Sequence, residues 1–299
     1  MSFSRRCSMS AQSLAGIAPI AGRYDAAILD LWGTVHDGIV PIPGVLDCLE
    51  NLREQGVTVA MLSNAPFRAA RVQTVLDGIG VPRDLYSFVM SSGEEAWQAL
   101  AARTDPWYRK LGRRGLFVGG PNHASMLDNP GFETVDVVAE ADFILCTGPR
   151  ESGHTLADYE ALLADAAERS LPMVCANPDR AVMRGAHREI CAGAIAEVYE
   201  TRHRGDVRWH GKPDPSVFET VLQKLGEPER GRVVMVGDTL HTDIEGAVAV
   251  GLDSIFITHG IHAPALDAIP GAVVSAERLS ALYEAHAVAP TYAMTALRW

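Results

Sequence analysis

Residues 26–35 read Ala26-Ala27-Ile28-Leu29-Asp30-Leu31-Trp32-Gly33-Thr34-Val35: an apolar run, an aspartate where it ends, then a turn. A short apolar run without polar alternation suits a strand buried on both faces, and such strands belong to parallel sheets flanked by helices. The layout recurs. Residues 57–62 make a second run, closed by Ser63-Asn64. Residues 232–236 make a third, closed by Gly237-Asp238, and residues 254–258 a fourth. Between the runs, apolar residues return at helical spacing. Val45, Leu46, Leu49 and Leu52 follow a turn at 41–44 and precede a stop at Gly56. Val72, Val75, Leu76 and Ile79 line one face ahead of Gly80-Val81-Pro82. Val217, Phe218, Val221, Leu222 and Leu225 follow Asp214-Pro215, an N-cap with proline in the first turn. Residues 243–250 read as a helix stopped by Gly251. Strands alternating with helices predict an α/β fold with a parallel sheet.

A second α/β unit interrupts this pattern. Residues 116–119, 143–147 and 173–176 are its candidate strands, and residues 155–169 a helix with Leu156, Tyr159, Leu162 and Leu163 on one face. The expectation is a discontinuous core domain, residues 1–91 and 206–299, with a second α/β domain inserted at 92–205. Residues 1–10 read as a frayed extension, because no apolar stretch follows Arg5 and Arg6, and residues 286–299 carry no pattern.

A length of 299 residues suits two domains. A net charge of -11 argues against nucleic acid or an anionic membrane as the main partner. An acidic chain that binds an anion must build local positive potential from lysine, backbone N–H groups or a metal ion. No apolar run reaches the ~18 residues a membrane-spanning helix needs. Cys7, Cys48, Cys146, Cys175 and Cys191 show no metal-ligand spacing, which fits free thiols in a reducing cytoplasm.

In open parallel sheets, ligands gather beyond the carboxyl ends of the strands. Asp30, Ser63 and Asp238 each stand at such an end. Four segments in order resemble the motifs of the haloacid dehalogenase (HAD) superfamily: Asp30-Leu31-Trp32-Gly33-Thr34, Ser63-Asn64, Gly211-Lys212-Pro213, and Gly237-Asp238 with Asp243. The insert, with Asn177-Pro178-Asp179 and Cys191-Ala192-Gly193, is similar to the large α/β cap of the class IIA branch, which includes pyridoxal-phosphate and nitrophenyl-phosphate phosphatases. The resemblance implies a Rossmann-like core with an inserted cap, and a Mg²⁺-dependent hydrolase of a small phosphorylated metabolite. Asp30 would be the nucleophile that forms an aspartyl-phosphate. Asp30, Asp238 and the main-chain carbonyl of Trp32 would hold the Mg²⁺, and Asp243 a metal-bound water or Lys212. Lys212 would offset phosphoryl charge, and Ser63 and Asn64 would donate hydrogen bonds to it. Asn177 and Asp179, with Arg184, His187 and Glu189, fall in the segment that selects substrate. Related capped enzymes often pair through the cap, so a homodimer is expected.

Simpler roles compete at several positions. Asp243 and Ser63 each suit a helix cap, and Asn177-Pro178-Asp179 is an ordinary turn sequence. His154, His203 and His210 suit loops or the surface, although His210 adjoins the lysine motif. Trp97, Trp107 and Trp209 suit packing.

The family's first motif usually carries a second aspartate, the general acid/base, where this chain has Trp32. Such a group is typically worth ~10²–10⁴ in rate. Three outcomes stay open: a phosphatase that is slow or limited to good leaving groups such as acyl or aryl phosphates, a replacement by His36 or Asp37, or different chemistry. His36 and Asp37 also read as a solvated loop pair. Dehalogenases lack the second aspartate too, but they use no Mg²⁺, and Asp238 and Asp243 are retained. A phosphonatase needs a cap lysine, and residues 92–205 contain only Lys110. The non-enzyme alternative is a degenerate protein that binds a phosphorylated metabolite.

Overall fold

The computed structural model describes residues 10–184, 187–269 and 272–299. Residues 1–9 of the expected extension, Cys7 among them, lie outside the described residues, as do the side chains of Arg184 and His187. In chain order the strands are β1 Gln12–Ser13, β2 Ala26–Leu29, β3 Thr58–Ser63, β4 Phe88–Ser91, β5 Arg114–Val118, β6 Glu133–Val135, β7 Phe143–Cys146, β8 Met173–Cys175, β9 Ala181–Arg184, β10 His187–Ile190, β11 Val207–Trp209, β12 Val233–Gly237, β13 Asp253–Ile257 and β14 Tyr292–Met294. Two compact units divide the chain. One is Met1–Leu62, Gln73–Val89 and Phe218–Trp299; the other is Ser63–Val72 and Met90–Val217.

The larger sheet has the order β1-β14-β13-β12-β2-β3-β4. β2 lies parallel between β12 and β3, with Leu29 opposite both Val236 and Met61. Every residue of β2 and β12 is buried, as their uniform apolar composition predicts. The helix Val45–Glu54 buries Val45, Cys48, Leu49 and Leu52, one stripe at helical spacing. In the helix Pro215–Lys224 the expected cap forms, with Asp214 Oδ1 accepting from the Ser216 N–H at 2.8 Å.

Three expectations need correction. Residues 243–250 do not form one regular helix. Leu240–Ile244 is a wide π-type turn, and a short α-helix, Glu245–Ala249, follows it. Such widened turns concentrate at functional sites. The tail is not featureless, because β14 lies buried between β1 and β13. Three residues are too short a run to show periodicity. Val75, expected on the buried face of its helix, is exposed.

The second sheet, β11-β8-β7-β5-β6, is parallel throughout. Its strands alternate between two faces. Ile144, Cys146, Met173 and Cys175 pack with Tyr159, Leu163, Ile195 and Tyr199. Phe143, Leu145 and Val174 face the other way, onto Leu100, Tyr108 and Phe132. Trp97, Trp107 and Trp209 pack against these cores, in the role expected of them. A capping box at Thr155 and Asp158 starts a tight turn, Leu156–Tyr159, that leads into the helix Glu160–Glu168. β9 and β10 form a separate antiparallel pair.

Candidate functional site

In the first unit, parallel pairing of β2 with β12 brings the ends of the two strands side by side. The Asp30 N–H donates to the carbonyl of Val236 at 2.9 Å, which draws Asp30 beside Asp238. The wide turn after β12 returns Asp243 to the same place, where its Oδ2 accepts from the Thr239 N–H at 3.0 Å. Carboxylate oxygens of Asp30, Asp238 and Asp243 all lie within 4.8 Å of one another, and all three residues are buried. Asp238 is held at both oxygens. Oδ1 accepts from the Thr239 hydroxyl at 3.0 Å, and Oδ2 from the Ile261 N–H at 2.7 Å.

Glycine lets the backbone close around this cluster. A Cβ at Gly33, whose φ is +80°, would stand 2.2 Å from Asp238 Oδ2, and one at Gly260 2.1 Å from the same atom. A Cβ at Gly237 would stand 2.2 Å from the Asp243 carboxyl carbon. Three buried carboxylates this close repel unless a cation or protons intervene. An all-oxygen donor set suits a hard divalent cation such as Mg²⁺.

The loop after Asp30 departs from expectation. Trp32 is 53% exposed. Its ring meets the His36 ring edge-on, with centroids 5.8 Å apart, and lies so close over Gly38 that a Cβ there would be 2.4 Å from Cη2. His36 was expected to be solvated and is buried instead, because the loop folds it inward beside Trp32. His36 Nδ1 accepts from the Gly38 N–H at 3.0 Å, and burial holds its pKa below the ordinary histidine value. Asp37 is exposed, as expected. Its Oδ1 accepts from the N–H groups of Ile39 and Val40, both at 2.9 Å, and these bonds hold its carboxyl below the usual range.

The other unit holds Ser63, Asn64, Asn177, Asp179 and Lys212. Lys212 is 2% exposed. Asn64 fastens its main chain from both sides, accepting from the Lys212 N–H at 2.8 Å and donating to the Lys212 carbonyl at 3.0 Å. The remaining Asn64 amide hydrogen goes to Asp179 Oδ1 at 2.9 Å. Both N–H bonds of the side chain are thus engaged within this unit. Asn177 Oδ1 accepts from the Asp179 N–H at 2.9 Å, the turn that its Asn-Pro-Asp sequence suggests. Ser63 Oγ accepts from the Ala65 N–H at 3.2 Å and so caps a turn, since the next helix starts only at Ala69. Glu189 accepts from the Ser152 hydroxyl at 2.6 Å.

His210, expected in a loop or at the surface, lies in the loop after β11 but is buried there. Its Nε2 bonds the Tyr108 hydroxyl, and its Nδ1 lies 3.2 Å from the carboxylate of Glu95. Glu95 escaped the sequence reading. It accepts from the Gly211 N–H and the Ser216 hydroxyl, both at 2.9 Å, and so ties both flanks of Lys212 to the first turn of the helix Ser92–Ala102. The available signal was the pair Glu94-Glu95 just after Ser91, a capping pattern that opens an apolar helix.

Residues 27–133 match the family model described as haloacid dehalogenase-like hydrolase, and residues 209–282 one described as HAD-hydrolase-like. The chain is 24% identical over 239 residues to ribonucleotide monophosphatase NagD of Escherichia coli (strain K12), across 78% of this chain and 87% of that one. It superposes on a hydrolase of the haloacid dehalogenase-like family from Brucella suis 1330 with a TM-score of 0.79 and 29% identity, over 95% of this chain and 99% of the other. A glycerol phosphate phosphatase from Mycobacterium tuberculosis, solved in complex with magnesium, matches with a TM-score of 0.63 and 27% identity, over 84% and 74% of the two chains.

Proposed function

The chain belongs to the haloacid dehalogenase-like hydrolases, in their capped class IIA branch, and we propose that it is a Mg²⁺-dependent phosphatase of a small phosphorylated metabolite. The observation that carries this reading is the triad of buried carboxylates at the ends of β2 and β12. Similarity to phosphatases of a ribonucleotide and of glycerol phosphate, the latter bound to magnesium, supports it.

Asp30, Asp238 and the Trp32 carbonyl would hold Mg²⁺, and Asp243 would complete its acidic surroundings. When bound, the ion supplies the positive charge that lets two anions meet. An oxygen of Asp30 attacks phosphorus, and the leaving oxygen departs with the bonding pair. Water then attacks the aspartyl-phosphate and regenerates Asp30. Lys212 is the cation we assign to the phosphoryl oxygens, and Ser63 a hydrogen-bond donor to them. Asn64 acts as a positioning residue for Lys212, since its amide hydrogens are already engaged. Residues 92–205 serve as the cap that selects the metabolite, with Asn177 and Asp179 in its specificity segment. Cys48, Cys146, Cys175 and Cys191 are free thiols, which supports a reducing cytoplasm.

One observation favours a second reading. Trp32 in place of the acid/base fits a protein that binds the metabolite without turning it over. The experiment is phosphate release from a panel of aryl, acyl, sugar and nucleotide phosphates, with and without Mg²⁺, beside Asp30→Asn. Metal-dependent release that vanishes in the variant is expected. Absence of release from every compound, with Mg²⁺ still binding, would move the conclusion to the binding protein.

A further inference from the structure

Resting on the phosphatase reading, we propose that the substrates are phosphoryl donors whose leaving oxygen departs as a weakly basic anion, such as acyl or aryl phosphates, and not alkyl phosphate esters. The argument starts from proton transfer. Hydrolysis of an alkyl ester expels an alkoxide, about as basic as hydroxide, unless an acid protonates it. A carboxylate or phenolate leaves with a conjugate-acid pKa of only about 4 or about 10 and needs far less help.

Among the described residues, the loop after Asp30 offers four polar side chains in place of the missing aspartate, and chemistry or geometry disqualifies each. The Thr34 hydroxyl is buried and is neither acidic nor basic near neutrality. The Trp32 indole has an N–H that is neither acidic nor basic near neutrality. His36 uses its Nδ1 lone pair to accept from the Gly38 N–H at 3.0 Å, which places the proton of the neutral ring on Nε2. That ring has no free lone pair to serve as a base. Its Nδ1 is turned onto the backbone N–H of Gly38 within its own loop. Asp37 is committed as a carboxylate to the N–H groups of Ile39 and Val40, which bend it back onto its own loop. The loop therefore holds no poised proton donor.

The two steps balance without one. An Asp30 oxygen donates an electron pair to phosphorus, the bond from phosphorus to the leaving oxygen breaks, and that oxygen keeps the pair and departs as carboxylate or phenolate. Water oxygen then bonds to phosphorus and the bond to Asp30 breaks. Asp30 leaves as a carboxylate, itself a weak base, while one water proton moves to a phosphate oxygen and dihydrogen phosphate is released. Among the described residues, that loop supplies no side chain to activate the water, so the aspartyl-phosphate is expected to accumulate.

The test uses the full-length protein with Mg²⁺. Leaving-group release is measured for a series of aryl phosphates of graded acidity, for acetyl and benzoyl phosphate, and for glycerol phosphate as the alkyl arm. The expected result is a steep rise of kcat/KM with leaving-group acidity, with glycerol phosphate at least ~10²-fold below the acyl phosphates. Trp32→Asp should raise the alkyl rate by ~10²–10⁴ and flatten the series. The wild-type series needs no variant to fold. A shallow series, with glycerol phosphate as fast as acetyl phosphate, overturns the proposal and leaves the phosphatase reading intact. No release from any donor, in wild type or Trp32→Asp, overturns both.

Discussion

Replacing Asn64 with aspartate changes one nitrogen to oxygen and hardly alters shape, yet it should be among the more damaging single substitutions in the second unit. The oxygen that accepts from the Lys212 N–H at 2.8 Å is kept. The NH₂ that donates to the Lys212 carbonyl at 3.0 Å and to Asp179 at 2.9 Å becomes a second carboxylate oxygen. Two donor–acceptor contacts turn into acceptor–acceptor contacts, one between like charges. Leaving the buried Lys212 carbonyl unmatched costs about 1–3 kcal/mol, and losing a bond to a charged partner about 1.5–3 kcal/mol. Asp179 is partly exposed, so solvent screens its share and the lower end applies. The total is about 3 kcal/mol, or a melting temperature lower by about 6 °C or more. The introduced carboxyl has its folded pKa raised above the unfolded one. The destabilisation is therefore full above that folded pKa and fades as acid protonates the group into an amide-like donor. Adding Asp179→Asn restores a donor opposite the introduced carboxylate and should recover at least about 1 kcal/mol in a double-mutant cycle. Thermal unfolding at several pH values reads all of this. A loss below about 1 kcal/mol, or no recovery in the double variant, would refute the reasoning.

Glu95→Ala strands the buried N–H of Gly211, while exposed Ser216 can turn its hydroxyl to water, and should cost about 1–3 kcal/mol in urea unfolding, a sizeable part of a typical domain's stability; an unchanged midpoint would remove Glu95 from the structural role given to it. Gly260→Ala would press a methyl to within 2.1 Å of Asp238 Oδ2, so Asp238 must turn away, and calorimetric Mg²⁺ affinity should fall ~10–100-fold. Equal affinity would mean that Asp238 is no ligand. His262 accepts from the Leu240 N–H at 3.3 Å, and burial, with His286 and His241 nearby, brings its pKa from 6.5 down to about 4. The unfolded chain then binds the extra proton between those values, so stability should fall as pH drops from about 6.5 towards 4. His262→Gln keeps an acceptor for Leu240 without the charge and should flatten that part of the melting profile; an unaltered profile would assign the acid sensitivity to other groups.

What the sequence made legible follows from what periodicity can report. Strands buried on both faces advertise themselves as unbroken apolar runs, so β2, β3 and β12 could be read, and with them the positions of Asp30, Ser63 and Asp238 at strand ends. The Asp214 cap was legible for the same local reason. β14 was not, since three residues cannot establish a period and its burial depends on neighbours distant in sequence. The wide turn at Leu240–Ile244 was hidden because its cause is the return of Asp243 to Thr239 and not a breaker residue. His36, His210 and Glu95 look like surface residues by type. Their burial is made tolerable by partners at Gly38, Tyr108 and Gly211, two of them distant in sequence and none visible from composition.

The most direct measurement is a rapid quench of the Mg²⁺-loaded protein during turnover of acetyl phosphate, followed by peptide mass spectrometry. The expected result is one phosphoryl group on Asp30, requiring Mg²⁺ and absent from Asp30→Asn. Turnover with no phosphoryl group on Asp30, or with the label on another residue, would contradict the assignment of Asp30 as the nucleophile.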